Sequence, residues 1–185
     1  MKDKFVISFL GRFSEEKAPD QFVTIARSLS KEAEYAFLMG GEGPLADHIA
    51  ALREKYGLHN RLHLPGFIDV KSALAVTDIL VLPSRIDGRP NIVLEALSMG
   101  VPVVASRIGG VQEMIHDGEN GILCDAEDTN GFINAIRSIM NDADRRTLMR
   151  ACARALAVSE LDVRTMLSSY RAVFERIITS KSRSN

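Results

Sequence analysis

The sequence contains no tryptophan, and aromatic residues fill only 6% of its 185 positions. It has two cysteines, Cys124 and Cys152, with no short spacing between them. That excludes a disulfide framework and suits a reducing compartment, so the expected location is the cytoplasm. No apolar run approaches the roughly 18 residues that cross a bilayer. The short apolar stretch Phe5–Leu10 follows Lys2 and Lys4, but Arg12 cuts it off and no small-residue cleavage site follows. It reads as a strand and not as a signal peptide. Net charge is nearly absent: 23 basic against 24 acidic side chains give −1. Such a balance offers no general field to a phosphate backbone, which argues against a nucleic-acid partner. The histidines (His48, His59, His63, His116) stand at no metal-ligand spacing, and no metal site is expected. P-loop and G-x-S-x-G patterns are missing as well.

What is present is a globular chain. Apolar residues make up 46% of it, far from the polar, highly charged composition of disorder. A chain of this length buries about 70% of its unfolded surface, enough for a real core. The small net charge is a sum of unlike parts. Residues 1–127 carry 13 basic and 18 acidic groups, whereas residues 128–185 carry 10 and 6. In the second segment Arg145, Arg146, Arg150 and Arg154 are spaced for one helix face. That face reads as a solvated one or as a peripheral contact with an anionic membrane.

Apolar runs alternate with helical periodicity. Strands are expected at Phe5–Leu10, Tyr35–Met39, Arg61–Leu64, Ile79–Leu82, Pro102–Ala105 and Gly121–Cys124. Helices are expected from Pro19, from Pro44, after Asp69 as cap, and over Pro90–Met99, since Pro suits a first helical turn. A Gly109-Gly110 turn leads to a short helix, and from Asp128 onward the pattern is purely helical, with a frayed tail at Ser180–Asn185. Near-continuous apolar strands separated by helices need a parallel sheet covered on both faces. The expected fold is α/β: a three-layer Rossmann-like domain of about six parallel strands with extra C-terminal helices, one domain over residues 1–185.

In such a sheet, ligands bind beyond the carboxyl ends of the strands. Gly11, Arg12 and Lys17 follow the first strand. Two cations there make a diphosphate clamp, or else surface charges paired with Glu15 and Glu16. Gly40-Gly41-Glu42-Gly43-Pro44-Leu45-Ala46 follows the second strand. It contains G-x-G-x-x-A, which reads as a dinucleotide fingerprint using Gly41 and Gly43 or as a tight turn before a helix; no acidic residue ends the next strand to hold a ribose. The densest loop follows the fourth strand. Gly88 there permits close backbone approach, and the open N–H groups after Pro90 form an anion site. Glu95, more than a turn into the helix and between Leu94 and Ala96, can accept hydrogen bonds from two ribose hydroxyls.

The stretch SRIDGRPNIVLEALSMGVPVVAS, with Asp87 and Glu95 eight apart, resembles the Glu-x7-Glu signature of retaining family 4 (group 1) glycosyltransferases of GT-B fold. VISFLGRFSEEK, GGEGP, LHLPGFI and IGGVQEMIHDGENGILC resemble further family segments in the same order, over roughly residues 5–140. The resemblance implies that Arg12 and Lys17 bind a donor diphosphate. It implies that Glu95 holds the ribose and that Asp87 contacts the donor sugar. The stretch Gly88, Arg89, Pro90, Asn91 and Ile92 would meet sugar and phosphate, through the backbone N–H groups of its non-proline residues, and Phe67 and Ile68 would cradle the base. Arg12, Lys17 and Asp87 are then the catalytic candidates. The donor is a nucleoside-diphosphate sugar, with no further cofactor and no metal. Two positions depart from the pattern: Asp87 replaces a Glu, and Ala18 stands where Gly is usual.

The resemblance further implies a hexosyltransferase that retains anomeric configuration. A sugar or lipid-linked acceptor would be held by an N-terminal domain that this chain lacks, at the cytoplasm or the inner face of the membrane. The isolated domain is then expected to be weakly active or inactive. The alternatives are a noncatalytic nucleotide-sugar-binding or interaction module and an NAD-type Rossmann module.

Overall fold

The computed structural model describes residues 4–32 and 35–182, the last four as backbone. Strands β1 (Phe5–Leu10), β2 (Tyr35–Gly40), β3 (Leu62–Gly66), β4 (Ile79–Leu82), β5 (Val103–Ser106) and β6 (Gly121–Cys124) form one parallel sheet of order β3-β2-β1-β4-β5-β6. The order reverses between β1 and β4, so the crevice of a doubly wound fold opens there.

Both sheet faces are apolar because alternate residues of each strand enter different cores. Ile7 and Phe9 of β1 and Phe37 and Met39 of β2 pack under helices α1 (Pro19–Leu29), α2 (Ala46–Lys55) and α5 (Thr129–Met140). Val6, Leu10, Leu38, Leu80 and Leu82 face the opposite core, covered by α3 (Val70–Ala75), α4 (Asn91–Ser98) and part of α6 (Ala143–Ser159). The scarce aromatics are concentrated in the first core. Phe9 lies 5.9 Å from Phe13 and 5.8 Å from Phe22, and Phe22 lies 6.3 Å from Phe37, between ring centroids. Ser8, fully buried on the other face, is satisfied by the Thr77 hydroxyl at 2.7 Å, and that hydroxyl donates to the Ala73 carbonyl.

The sequence boundaries shift in instructive places. The third strand runs through Pro65-Gly66, which an edge strand tolerates. The second helix starts at Ala46 and not at Pro44, which lies in the preceding turn. Asp69 caps α3 as expected, accepting from the Ser72 N–H at 2.8 Å. Residues 109–113 form a 3₁₀ turn, and so do residues 15–17, in the connection between β1 and α1. The expected fraying of Ser180–Asn185 does not hold for 180–182, which continue α7 (Val163–Ser182); residues 183–185 lie outside the described residues.

Three of the four arginines on the expected basic face of α6 turn toward the domain. Arg146 stacks over the Phe5 ring, 4.9 Å from its centroid, and donates to the Met140 carbonyl. Arg150 approaches Asp78 at 3.9 Å, and Arg154 donates to the Ser98 carbonyl. At these three positions the basic face makes contacts with the rest of the domain. Helix α7 is the opposite case: every residue from 163 to 178 is exposed. Val163, Met166, Leu167, Tyr170, Val173, Phe174, Ile177 and Ile178 form an apolar stripe along it, each at 45–65% exposure. Among the described residues no helix is long and apolar enough to cross a membrane.

Candidate functional site

A cleft of about 460 Å³ lies over the carboxyl ends of β1 to β4. Its floor comes from strand ends: Phe9, Leu10, Gly40 and Leu82. Gly11, Arg12 and Lys17 enter from the loop after β1, Phe67 and Ile68 from the loop after β3, Asp87 and Pro90 from the loop after β4, and Asn91 and Ile92 from the start of α4. Glu95 lines it from within α4. The structure thus brings together ten of the residues singled out by sequence: Gly11, Arg12, Lys17, Phe67, Ile68, Asp87, Pro90, Asn91, Ile92 and Glu95.

The loops are fixed to one another by backbone hydrogen bonds. Gly11 N–H donates to the Gly40 carbonyl (3.0 Å), Phe13 N–H to Glu42 (2.9 Å) and Gly41 N–H to Gly66 (2.9 Å). This corrects the dinucleotide reading of Gly41 and Gly43. A Cβ on Gly43 would lie 2.5 Å from the Phe13 carbonyl oxygen, so that glycine faces protein backbone and leaves no room for a pyrophosphate. The turn clamps the loop after β1.

The loop after β4 is tied to the same loop. Arg85 and Ile86 N–H both donate to the Glu16 carbonyl, at 2.8 and 3.3 Å, and the Arg85 guanidinium donates to the Glu15 carbonyl at 2.9 Å. Arg85 also reaches Glu127 at 3.2 Å and Asp20 at 3.5 Å. Partial burial disfavours its charge, but Asp20 and Glu127 outweigh that and raise its pKa. On the far side, Gly109 and Gly110 press on the same loop. A Cβ on either would stand 2.4 Å from the Asp87 carbonyl oxygen or 2.6 Å from that of Gly88.

These constraints set a pair across the cleft: Lys17 Nζ donates to Asp87 Oδ2 at 2.5 Å. The side chains are 26% and 10% exposed. Lys17 is therefore paired with neither Glu15 nor Glu16. Arg12 makes no hydrogen bond through its guanidinium among the described residues. The Glu16 carboxylate beside it is held below its usual pKa by its own backbone N–H, then by the Ser14 hydroxyl at 2.8 Å, with smaller contributions from Arg12 and Lys17.

Helix α4 opens at the cleft with Pro90 as its N-cap and no side-chain cap. Its first-turn N–H groups, from Asn91 and Ile92, stay open to an anion, with the helix dipole behind them. Glu95 is exposed and lines the cleft, so its place between Leu94 and Ala96 does not bury it. Phe67 stands 84% exposed at the rim. Two expected residues lie outside. Arg89 turns away to pair with Glu113 at 3.1 Å, and Gly88 is exposed behind Asp87. Sequence reading missed Glu42, a third carboxylate on the cleft, and the roles of Arg85 and Gly109-Gly110. Only the presence of glycines in the latter pair was visible, without the surface they press on. Among the described residues no three His, Cys, Asp or Glu side chains converge as a metal site.

Residues 4–142 match the family described as glycosyl transferases group 1. The chain belongs to that family. It is 29% identical over 169 residues to the lipopolysaccharide core biosynthesis glycosyltransferase LpsE of Rhizobium meliloti, covering 91% of this chain and 49% of that protein. The structure of Anabaena HepE in complex with UDP superposes with a TM-score of 0.88 at 22% identity, covering 94% of this chain and 49% of HepE. The C-terminal domain of a group 1 family protein, LpcC of Francisella tularensis, gives a TM-score of 0.79 at 24% identity, covering 86% of this chain and 87% of that one. The group 1 chain thus has the GT-B-type Rossmann-like fold, and it spans about half the length of the curated relatives it matches.

Proposed function

We propose that this chain is the donor-binding half of a retaining group 1 glycosyltransferase and that its cleft takes a nucleoside-diphosphate sugar. One observation carries the reading. Arg12, Lys17, the uncapped N-terminus of α4 and Glu95 converge on one cleft at the topological switch point. The diphosphate would lie between Arg12, Lys17 and the Asn91 and Ile92 amides, the ribose against Glu95, and the base along Phe67 and Ile68. The UDP bound to HepE, a protein of the same fold, supports a uridine nucleotide as the first to try.

In this reading the cations and the helix dipole stabilise the departing nucleoside diphosphate as the sugar gains oxocarbenium character. The acceptor attacks from the face the diphosphate leaves, which retains configuration. A second domain holds the acceptor, a sugar or a lipid-linked sugar. The half-length match to relatives supports that division, and so does the exposed apolar stripe of α7, a surface fit for such a domain to cover. The chain alone then binds donor and transfers little. We place the activity in the cytoplasm, with any membrane contact made through surfaces other than α6.

Calorimetry with UDP, GDP and ADP tests the reading. At least one should bind, with affinity lost in Arg12→Ala and Glu95→Ala while both variants stay folded. Absence of binding by all three at millimolar concentration would refute it.

A further inference from the structure

The Lys17–Asp87 pair joins two groups to which the donor-binding reading gives separate tasks, one at the diphosphate and one at the sugar. In the structure each consumes the other. Asp87 is nine-tenths buried and its Oδ2 is taken by Lys17, with the Ser84 hydroxyl at 3.5 Å. The contact is set by backbone. The Glu16 carbonyl, next to Lys17, receives the Arg85 and Ile86 amides, next to Asp87. Gly109 presses on the Asp87 carbonyl from behind. Few other cations are at hand: Arg12 shares the cleft with three carboxylates, Glu42, Asp87 and Glu95. A diphosphate in this cleft therefore needs Lys17, and the paired Lys17 is largely neutralised.

We propose that Lys17 and Asp87 form an exchange latch that couples diphosphate binding to sugar recognition. The inference rests on the donor-binding reading above. In the structure Asp87 holds the ammonium. A diphosphate takes Lys17 over, forming a charge-assisted hydrogen bond in place of the one that breaks. The freed Asp87 carboxylate, now lacking a cation, accepts hydroxyl donors from the sugar. No proton changes hands. Nucleoside diphosphate alone gains Lys17 but leaves the buried Asp87 carboxylate unpaired, which is costly. The complete donor satisfies both. The latch thus favours the intact nucleotide sugar over the bare diphosphate.

The test is a double-mutant cycle on the full chain, using Lys17→Met, Asp87→Asn and both, with UDP, GDP and ADP as probes. Urea unfolding checks that each variant folds. Asp87→Asn should bind the diphosphate about fivefold more tightly than wild type, the scale of a charged hydrogen-bond competitor removed. Lys17→Met should cost about threefold in wild type and more than tenfold in the Asp87→Asn background, since the asparagine leaves the ammonium uncommitted. If Lys17→Met costs less in the Asp87→Asn background, Asp87 merely positions Lys17 and the latch is wrong. Equal costs in the two backgrounds also overturn it. Asp87→Glu should restore the wild-type pattern. Failure of wild type to bind any of the probes would instead overturn the donor-binding reading, and the latch with it.

Discussion

The carbonyl oxygen of Gly11 lies 1.9 Å from where a Cβ on Gly41 would stand. Gly41 has φ of +144°, and the contact locks the turn after β2 onto the loop carrying Arg12. Gly57, with φ of +65° and open space around its Cβ position, is a control. Gly57→Ala should cost about 1 kcal/mol, the ordinary left-handed penalty. Gly41→Ala combines strain with a backbone clash and should cost about 3 kcal/mol or more in urea unfolding. Equal costs would contradict the interlocked loops.

Ala18 sits between the 3₁₀ turn of Lys17 and α1 with φ 49° and ψ 51°, fully buried. It is the one non-glycine residue at positive φ among the described residues. Ala18→Gly relieves a left-handed penalty of about 1–2 kcal/mol and loses roughly 0.8 kcal/mol of methyl burial. It should be as stable as wild type or slightly more so. Ala18→Val should lose about 3 kcal/mol or more, because a branched side chain fits neither the conformation nor the space. Chemical denaturation of the two variants decides the point.

Burial, followed by the carboxylates of Asp128 and Asp117, pushes the Cys124 thiol up to about 11. Its folded pKa exceeds the unfolded value, so its contribution to stability is complete below about pH 8.5. As pH climbs from there toward about 11, the unfolded chain ionises first and that contribution is lost. Cys124→Ala should flatten the alkaline decline in stability over this window. In the native chain near neutral pH, iodoacetamide should label half-buried Cys152 well before Cys124. Peptide mapping that shows Cys124 modified first would contradict this.

Leu167 and Phe174 are 58% and 62% exposed on the α7 stripe. Replacing both with Glu should change the unfolding free energy of the chain by no more than about 0.5 kcal/mol. The same change should abolish any concentration-dependent association seen by sedimentation velocity, since an uncovered apolar stripe drives such contacts. Association that survives the double variant would show that the stripe is not the sticky surface.

The fold was legible because both sheet faces are buried. Strands such as Ile79–Leu82 then read as unbroken apolar runs, and the turns between them are marked by Gly and Pro. The loop bearing Arg12 and the helix start leading to Glu95 were also legible, since a parallel sheet sends each strand-to-helix connection to the same edge. What sequence could not show were the long-range pairings within that edge. The turn at Glu15–Lys17 forms where the Glu16 carbonyl meets amides about seventy positions away. Arg89 sits among site residues in sequence, yet its partner is Glu113 on another loop. Arg146, Arg150 and Arg154 share a helix face, but spacing alone does not say whether that face meets water or protein.

The central claim concerns where the nucleotide sits. It is tested most directly by amide NMR of the ¹⁵N-labelled chain titrated with UDP, GDP and ADP. A nucleotide that binds should shift the amides of Gly11, Arg12, Phe67, Ile68, Asn91 and Ile92 while leaving α5 and α7 unmoved. Shifts centred elsewhere, or none with any of the three at millimolar concentration, would contradict the assignment of this cleft as the donor site.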